Sequence, residues 1–345
     1  MTLEKLKVVQ IGIGHDHGTS GFNSILVQPD VFEVLGFAVP EEELESGLWE
    51  DRIKEYRDDR KIPYYTVEQA LELDGVEAAI IECEDMYLTK YALLAAEKGL
   101  HIYMDKPGSP DFDGFKRLVE TVKAKDLVFN VGYMYRFNPK IIEALERIKK
   151  GEIGEVYCVE AHMDCEHVVG KRKWLGQFPG GMLYFLGCHL VDLVHLIMGE
   201  PEEVIPLNCS TGIDGLTAED YGMAVFKYKN GVSFVKSCAS EVGGYMRRQL
   251  VICGSKGTIE FKPLEAFDEG AERDWLYTKM RVTHAGKGWQ HYEPKVRSEY
   301  YNRFNDMLKS FADSVKGRIK CPYSVDYEFN TYKLLLKACG KDGGF

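Results

Sequence analysis

Three short stretches of this chain combine residue types that could hold an anion, move a proton or steady an oxyanion. Gly12-Ile13-Gly14 follows an apolar run. A glycine pair there lets the backbone turn tightly and approach a pyrophosphate, whose charge then sits at a helix N-terminus. Asp105-Lys106-Pro107 follows another apolar run. A lysine at the end of a strand can hold a hydroxyl and stabilise alkoxide character as hydride leaves carbon, although Lys-Pro-Gly is also good surface-turn chemistry. The third stretch is Gly180-Gly181, then Gly187 to Asp192, opening an apolar segment that runs to Met198. If it is helical, Asp192 lies one turn beyond His189, close enough to fix its tautomer or support its protonated form for acid–base work.

Neighbouring residues qualify these readings. The third position of a G-x-G-x-x-G fingerprint is His17, with Gly18 one residue late, so the turn alone is a weak signal. Glu41 follows the apolar run Val34 to Val39 and is the candidate acceptor for adenosine ribose hydroxyls. Its charge disfavours a 2′-phosphate and points to NAD over NADP, though Glu41 to Glu43 also reads as a solvated helix start. His15, Asp16 and His17 resemble a metal-binding tripeptide, but adjacent residues on a turn rarely aim at one centre, and no metal is expected. His162, Asp164 and His167 read as a polar wall of a substrate cleft rather than as ligands.

The elements that must position these residues fall into two regimes. Strand-like runs at Lys7 to Ile13, Val34 to Val39, Ala78 to Ile81, His101 to Met104 and Leu127 to Val131 alternate with helical segments. The helices are Thr19 to Val27, Val67 to Leu73 after the N-cap Thr66, Thr89 to Lys98, and Phe112 to Lys125. That alternation predicts a Rossmann-type, doubly wound parallel sheet over residues 1–135. Beyond it, Val156 to Met163 alternates in polarity. Tyr221 to Tyr228 meets Val232 to Ser237 across Asn230-Gly231, and Leu250 to Cys253 meets Thr258 to Phe261 across Gly-Ser-Lys-Gly. Residues 136–345 are therefore expected to form an α+β domain, an open, mainly antiparallel sheet with helices on one face. Tyr301 to Val315 and Tyr327 to Ala338 read as helices, the last able to pack back on the first domain.

Composition narrows the functional classes. A chain of 345 residues with a net charge of −11 and no basic run interleaved with aromatics is a poor partner for nucleic acid. No stretch reaches the roughly 18 apolar residues of a membrane helix, and Met1 to Lys7 runs into a strand without a leader pattern. Nine cysteines without a C-x-x-C pair fit reduced thiols. The expectation is a soluble, cytoplasmic protein.

In this order the segments resemble the glucose-fructose oxidoreductase, inositol dehydrogenase and MocA family, Gfo/Idh/MocA. The resemblance runs through the glycine turn, Asp105-Lys106-Pro107 for the family's Glu-Lys-Pro, and Gly132-Tyr133 with Tyr135-Arg136-Phe137-Asn138-Pro139. It continues through Gly151 to Val156, Gly180 to Asp192 and Gly254 to Thr258. It implies NAD(P)-linked redox chemistry on a sugar, cyclitol or related polyol, and a homodimer or homotetramer joined through the second domain's sheet. Lys106 would lie near nicotinamide and substrate, and His189 would be the acid/base, with Asp192 beside it. The cofactor is expected at Gly12, Ile13, Gly14, His15, Glu41, Glu82, Lys106 and Pro107, and the substrate at Lys106, Tyr135, Arg136, Arg172, Trp174 and His189. Two positions depart from the family. Phe185 replaces its Asp one helical turn before His189, and Cys83 to Leu88 replaces Thr-Pro-Asn-x-x-His. A cofactor-binding sensor without turnover and a redox-assisted lyase or glycosidase remain as alternatives.

Overall fold

The computed structural model describes residues 4–269, 274–291 and 293–341. The chain divides into two compact units, residues 1–133 with 304–330 and residues 134–303 with 331–345.

The first unit begins β1 (Leu6–Ile11), α1 (Gly18–Leu26), β2 (Phe32–Ala38), α2 (Glu41–Glu45), α3 (Glu50–Lys54), β3 (Tyr64–Tyr65) and α4 (Val67–Leu71). It continues β4 (Ala78–Ile81), α5 (Leu88–Glu97), β5 (His101–Met104), α6 (Phe112–Ala124) and β6 (Phe129–Val131). The strands form one sheet in the order β3-β2-β1-β4-β5-β6, every pairing parallel. This is the predicted Rossmann arrangement, with the strand order reversing between β1 and β4. All four residues of β4 are buried, which is why it reads as an unbroken apolar run. Helix starts follow local chemistry. Thr66 and Gln69 form a reciprocal capping box at α4, and Asp111 accepts from Gly114 N–H at α6. A helix at Asn305–Val315 completes the unit.

The second unit carries α7 (Pro139–Lys149), capped by Asn138 with Pro139 at its first position. It then runs β7 (Val156–His162), α8 (Val169–Leu175), a π-helical turn (Leu183–Gly187) and α9 (Cys188–Met198). The strands β8 (Glu203–Pro206), β9 (Tyr221–Tyr228), β10 (Gly231–Cys238), β11 (Gln249–Gly254) and β12 (Gly257–Phe261) follow. After these come β13 (Trp275–Leu276), β14 (Lys279–His284), β15 (Val296–Arg297) and β16 (Tyr301–Asn302). Eight strands form a mixed sheet, β15-β14-β12-β11-β7-β10-β9-β8, antiparallel except where β7 meets β10. Alternation along β9 places Gly222, Ala224 and Phe226 on the buried face, and α9 packs on β7 and β10.

Two sequence expectations shift. Gly231 pairs with Tyr228, so the β9–β10 loop is Lys229-Asn230 and the glycine belongs to the strand. Tyr301 and Asn302 do not begin a helix; they pair with Leu276 and Trp275. Among the described residues no helix is long and apolar enough to cross a membrane.

Candidate functional site

In the first unit, the turn after β1 is set by Gly12, whose φ of +84° suits glycine and whose Cβ would lie 2.4 Å from Cys83 Cα. Gly14 is equally required. A Cβ there would meet Glu43 Oε1 at 2.5 Å, because the Glu43 side chain folds back from α2 into the turn. Glu43 is fully buried and accepts from Ile13 N–H (3.2 Å) and Glu84 N–H (2.7 Å). Burial pushes its carboxyl up to about 7 against those backbone hydrogen bonds, which favour the charged form. Sequence reasoning missed Glu43, since nothing in Glu41-Glu42-Glu43 marks which acid turns inward. Glu41, the predicted ribose acceptor, stays exposed and lines a cavity of about 490 Å³ with Val39, Tyr65, Thr66, Lys90 and Tyr91. Ile13 points its side chain into a core cluster with Phe22, Phe37 and Tyr56, so only its backbone faces the turn.

The carboxyl ends of β1, β4 and β5 gather charge. His15, on the turn, has Nδ1 2.9 Å from Asp105 Oδ2 and Nε2 3.4 Å from Asp85 Oδ1. Burial opposes a charge on His15, but the two carboxylates outweigh it and push its pKa up to about 10. His17 Nδ1 lies 3.3 Å from the same Asp105 oxygen, yet burial dominates there and lowers its pKa. For Asp105, burial alone would raise the pKa; His15 and His17 overcome it and hold the carboxyl well below the usual range. Glu82 goes the other way, pushed well above its ordinary value by burial and then by Asp105. It sits under α1, where a Cβ on Gly21 would meet its Oε1 at 2.6 Å. Lys106 is buried, joined to Pro107 by a cis peptide, and its N–H donates to Asp105 Oδ1 at 2.6 Å. The structure thus brings His15, Glu82 and Lys106 together around Asp105, and sets Glu41 apart at the cavity.

In the second unit, the Gly180 to Asp192 block is held by close backbone packing. Gly181 has a φ of +44°, and its Cβ would lie 2.1 Å from Glu219 O. The π-helical turn feeds directly into α9, which carries His189 and Asp192 inward, both buried. Asp192 is gripped by Arg136, whose Nε lies 3.0 Å from both carboxylate oxygens and whose Nη2 lies 2.6 Å from Oδ1. Both side chains are 1% exposed, so two residues predicted at the substrate and at the base are here paired with each other. His189 meets Tyr135 edge to face at 5.3 Å. Tyr135 lies beside Glu265, which takes a hydrogen bond from Arg248 and has Arg303 at 3.7 Å. Arg172 is buried against Asp214 and Asp220. Trp174 packs on Phe178 and Phe185, with Lys171 Nζ 3.6 Å from its ring centre. Phe185 therefore fills the position of the absent carboxylate with an aromatic cluster.

A parallel sheet of the dinucleotide-binding order joined to a mixed, mainly antiparallel sheet defines a two-unit class of protein. Residues 141–260 match the family model described as the GFO/IDH/MocA C-terminal domain. Over that stretch the chain is similar to the Gfo/Idh/MocA family. An uncharacterized oxidoreductase of Schizosaccharomyces pombe is 27% identical over 203 residues, 57% of this chain and 55% of the relative. The chain spans about half the length of the first such curated relatives. Myo-inositol 2-dehydrogenase of Thermotoga maritima is 22% identical over 303 residues, 86% of each chain. A 3-ketoreductase from Actinomadura kijaniata, solved with NADP, shares the fold with a TM-score of 0.76 at 16% identity, covering 96% of both chains.

Proposed function

We propose that the protein is an NAD(P)-dependent oxidoreductase acting at a hydroxyl carbon of a sugar, cyclitol or related polyol. The observation that carries this is the pairing, in one Rossmann unit, of a Gly12–Gly14 turn that admits no side chain with a cavity lined by Glu41 at the end of β2. That cavity suits an adenosine. Glu41 would accept ribose hydroxyl hydrogens from its rim, and Glu43, buried behind the turn on Ile13 and Glu84, would add negative charge there. Two acids there disfavour a 2′-phosphate, so NAD is the preferred cofactor. The NADP-bound 3-ketoreductase of similar fold keeps the opposite outcome within the test.

A bound nicotinamide supplies the hydride acceptor or donor. Lys106 at the end of β5 orients the reacting oxygen and stabilises negative charge developing on it. His189 takes the hydroxyl proton. Asp192, already neutralised by Arg136, fixes the helix that carries His189 rather than acting as a base of its own. Tyr135 backs the His189 ring, and Trp174 offers an aromatic face on the substrate side.

The test is a thermal-shift comparison of NAD with NADP, followed by nicotinamide reduction across a sugar and cyclitol panel. Stabilisation by NAD and turnover of a polyol are expected, with activity lost in Lys106→Ala. Absence of both binding and reduction rules the proposal out. A second reading, a dinucleotide-binding sensor without turnover, is favoured by Phe185 and by the locked Arg136–Asp192 pair. Tight NAD binding with no turnover on any panel member would select it.

A further inference from the structure

We propose that His15, His17 and Asp105 form a binding site for a single divalent transition-metal ion of the zinc and cobalt class. Two of these ligands come from the turn after β1 and the third from the end of β5. Their three donor atoms lie within 4.8 Å of one another. His15 Nδ1 and His17 Nδ1 stand 2.9 and 3.3 Å from the one oxygen Asp105 Oδ2. Zinc bonds of about 2.0–2.1 Å in tetrahedral geometry place neighbouring donors roughly 3.3 Å apart, so these spacings match edges of a coordination shell. Adjacent turn residues aim at one centre here because an aspartate from another strand supplies that centre.

Hydrogen-bond chemistry points the same way. Asp105 spends Oδ1 on Lys106 N–H, and its buried Oδ2 has no aligned hydrogen bond among the described residues. His17 N–H lies 3.1 Å from His15 Nδ1, a contact that metal binding would replace, and His15 Nε2 faces Asp85 at 3.4 Å. A metal ion would take the place of the proton between His15 Nδ1 and Asp105 Oδ2, which stand 2.9 Å apart. Asp85 is then the outer carboxylate that fixes the ligand tautomer, as histidine ligands usually require. Glu82, packed against Asp105, supports the third ligand from behind. The ion would tie the glycine turn to the end of β5, and the partly exposed His17 leaves one side open for a water or an anionic oxygen.

A rival cluster, Cys158, Glu160 and Cys253 on the second unit's sheet, makes the assignment testable. The purified full chain is stripped with a chelator and titrated with Co²⁺, following visible absorption, then challenged with Zn²⁺. One Co²⁺ per chain is expected, with nitrogen and oxygen ligand-field bands, no thiolate charge transfer, and displacement by Zn²⁺. His17→Ala and Asp105→Asn should each weaken binding by more than about a hundredfold, and Asp85→Asn by about 10–100-fold, the range for outer-shell partners. Cys253→Ser should leave the titration unchanged. No bound Co²⁺, a thiolate band, or equal affinity in a folded His17→Ala overturns the site. The readout is metal occupancy, so it stands apart from the redox proposal and fails or succeeds without it.

Discussion

Each unit buries a cluster of charge, and the two are balanced in different ways. In the second unit two buried acids have matching guanidiniums: Arg136 grips Asp192 with several hydrogen bonds, and Arg248 and Arg303 share Glu265. The geometry is closed, and an ion pair of this kind fixes structure. In the first unit, Asp85, Asp105 and Glu82 face two imidazoles and one lysine, so part of the charge is settled by protonation instead. Burial and Asp105 push Glu82 well above the usual carboxylate range, and Asp105 and Asp85 push His15 up to about 10. Groups whose protonation is set by one another, rather than by a permanent cation, respond to whatever binds beside them. The contrast assigns scaffold work to the first pair and ligand-responsive chemistry to the second cluster.

The largest expected effect tests the scaffold side. Asp192→Asn leaves Arg136 buried and uncompensated, and should destabilise the protein by about 3–5 kcal/mol in denaturant unfolding. Replacing both partners together, Arg136→Met with Asp192→Leu, should restore most of that stability, because no charge is then stranded. If the single variant unfolds like the wild type, the pair is not structural and the contrast fails. The next effect is catalytic. His189→Asn keeps the volume of the ring on α9 but not its basicity, and should lower kcat by about a hundredfold in polyol oxidation while leaving NAD affinity unchanged. Equal loss in NAD affinity would show that His189 serves packing, as Arg136 and Asp192 do.

How much of this was legible in the sequence depends on the range of the interaction. The parallel sheet was readable because burial on both faces leaves continuous apolar runs, and Thr66 announced α4 through its own capping box. The one-residue shift at Gly231 was not, since an Asn-Gly step is compatible with either register until the partner strand fixes it. Among the candidate residues, Gly12 and Lys106 stood out by position, and the structure buries both at the ends of β1 and β5. The Arg136–Asp192 pair is 56 residues apart in sequence, and spacing within α9 suggested instead that Asp192 attends His189. Glu43 was hidden for a similar reason. Three consecutive glutamates look alike in sequence, and only the path of the chain after Pro40 decides that one of them enters the turn.

Glu43 also provides the smallest and most discriminating prediction, because burial pushes its carboxyl up to about 7. Its pKa is raised, so it is charged above about 7 and increasingly neutral below it. A charged Glu43 repels the 2′-phosphate of NADP, and a neutral one does not. Discrimination in favour of NAD should therefore narrow as pH falls from 8 to 6, by up to about tenfold in the ratio of dissociation constants, about 1.4 kcal/mol. Glu43→Gln mimics the neutral form and should show the narrow ratio at every pH. A wild-type ratio that is flat across this range places Glu43 outside the cofactor's field. The turn would then be rigidified by an internal carboxylate, and the first unit's buried charge would resemble the second's after all.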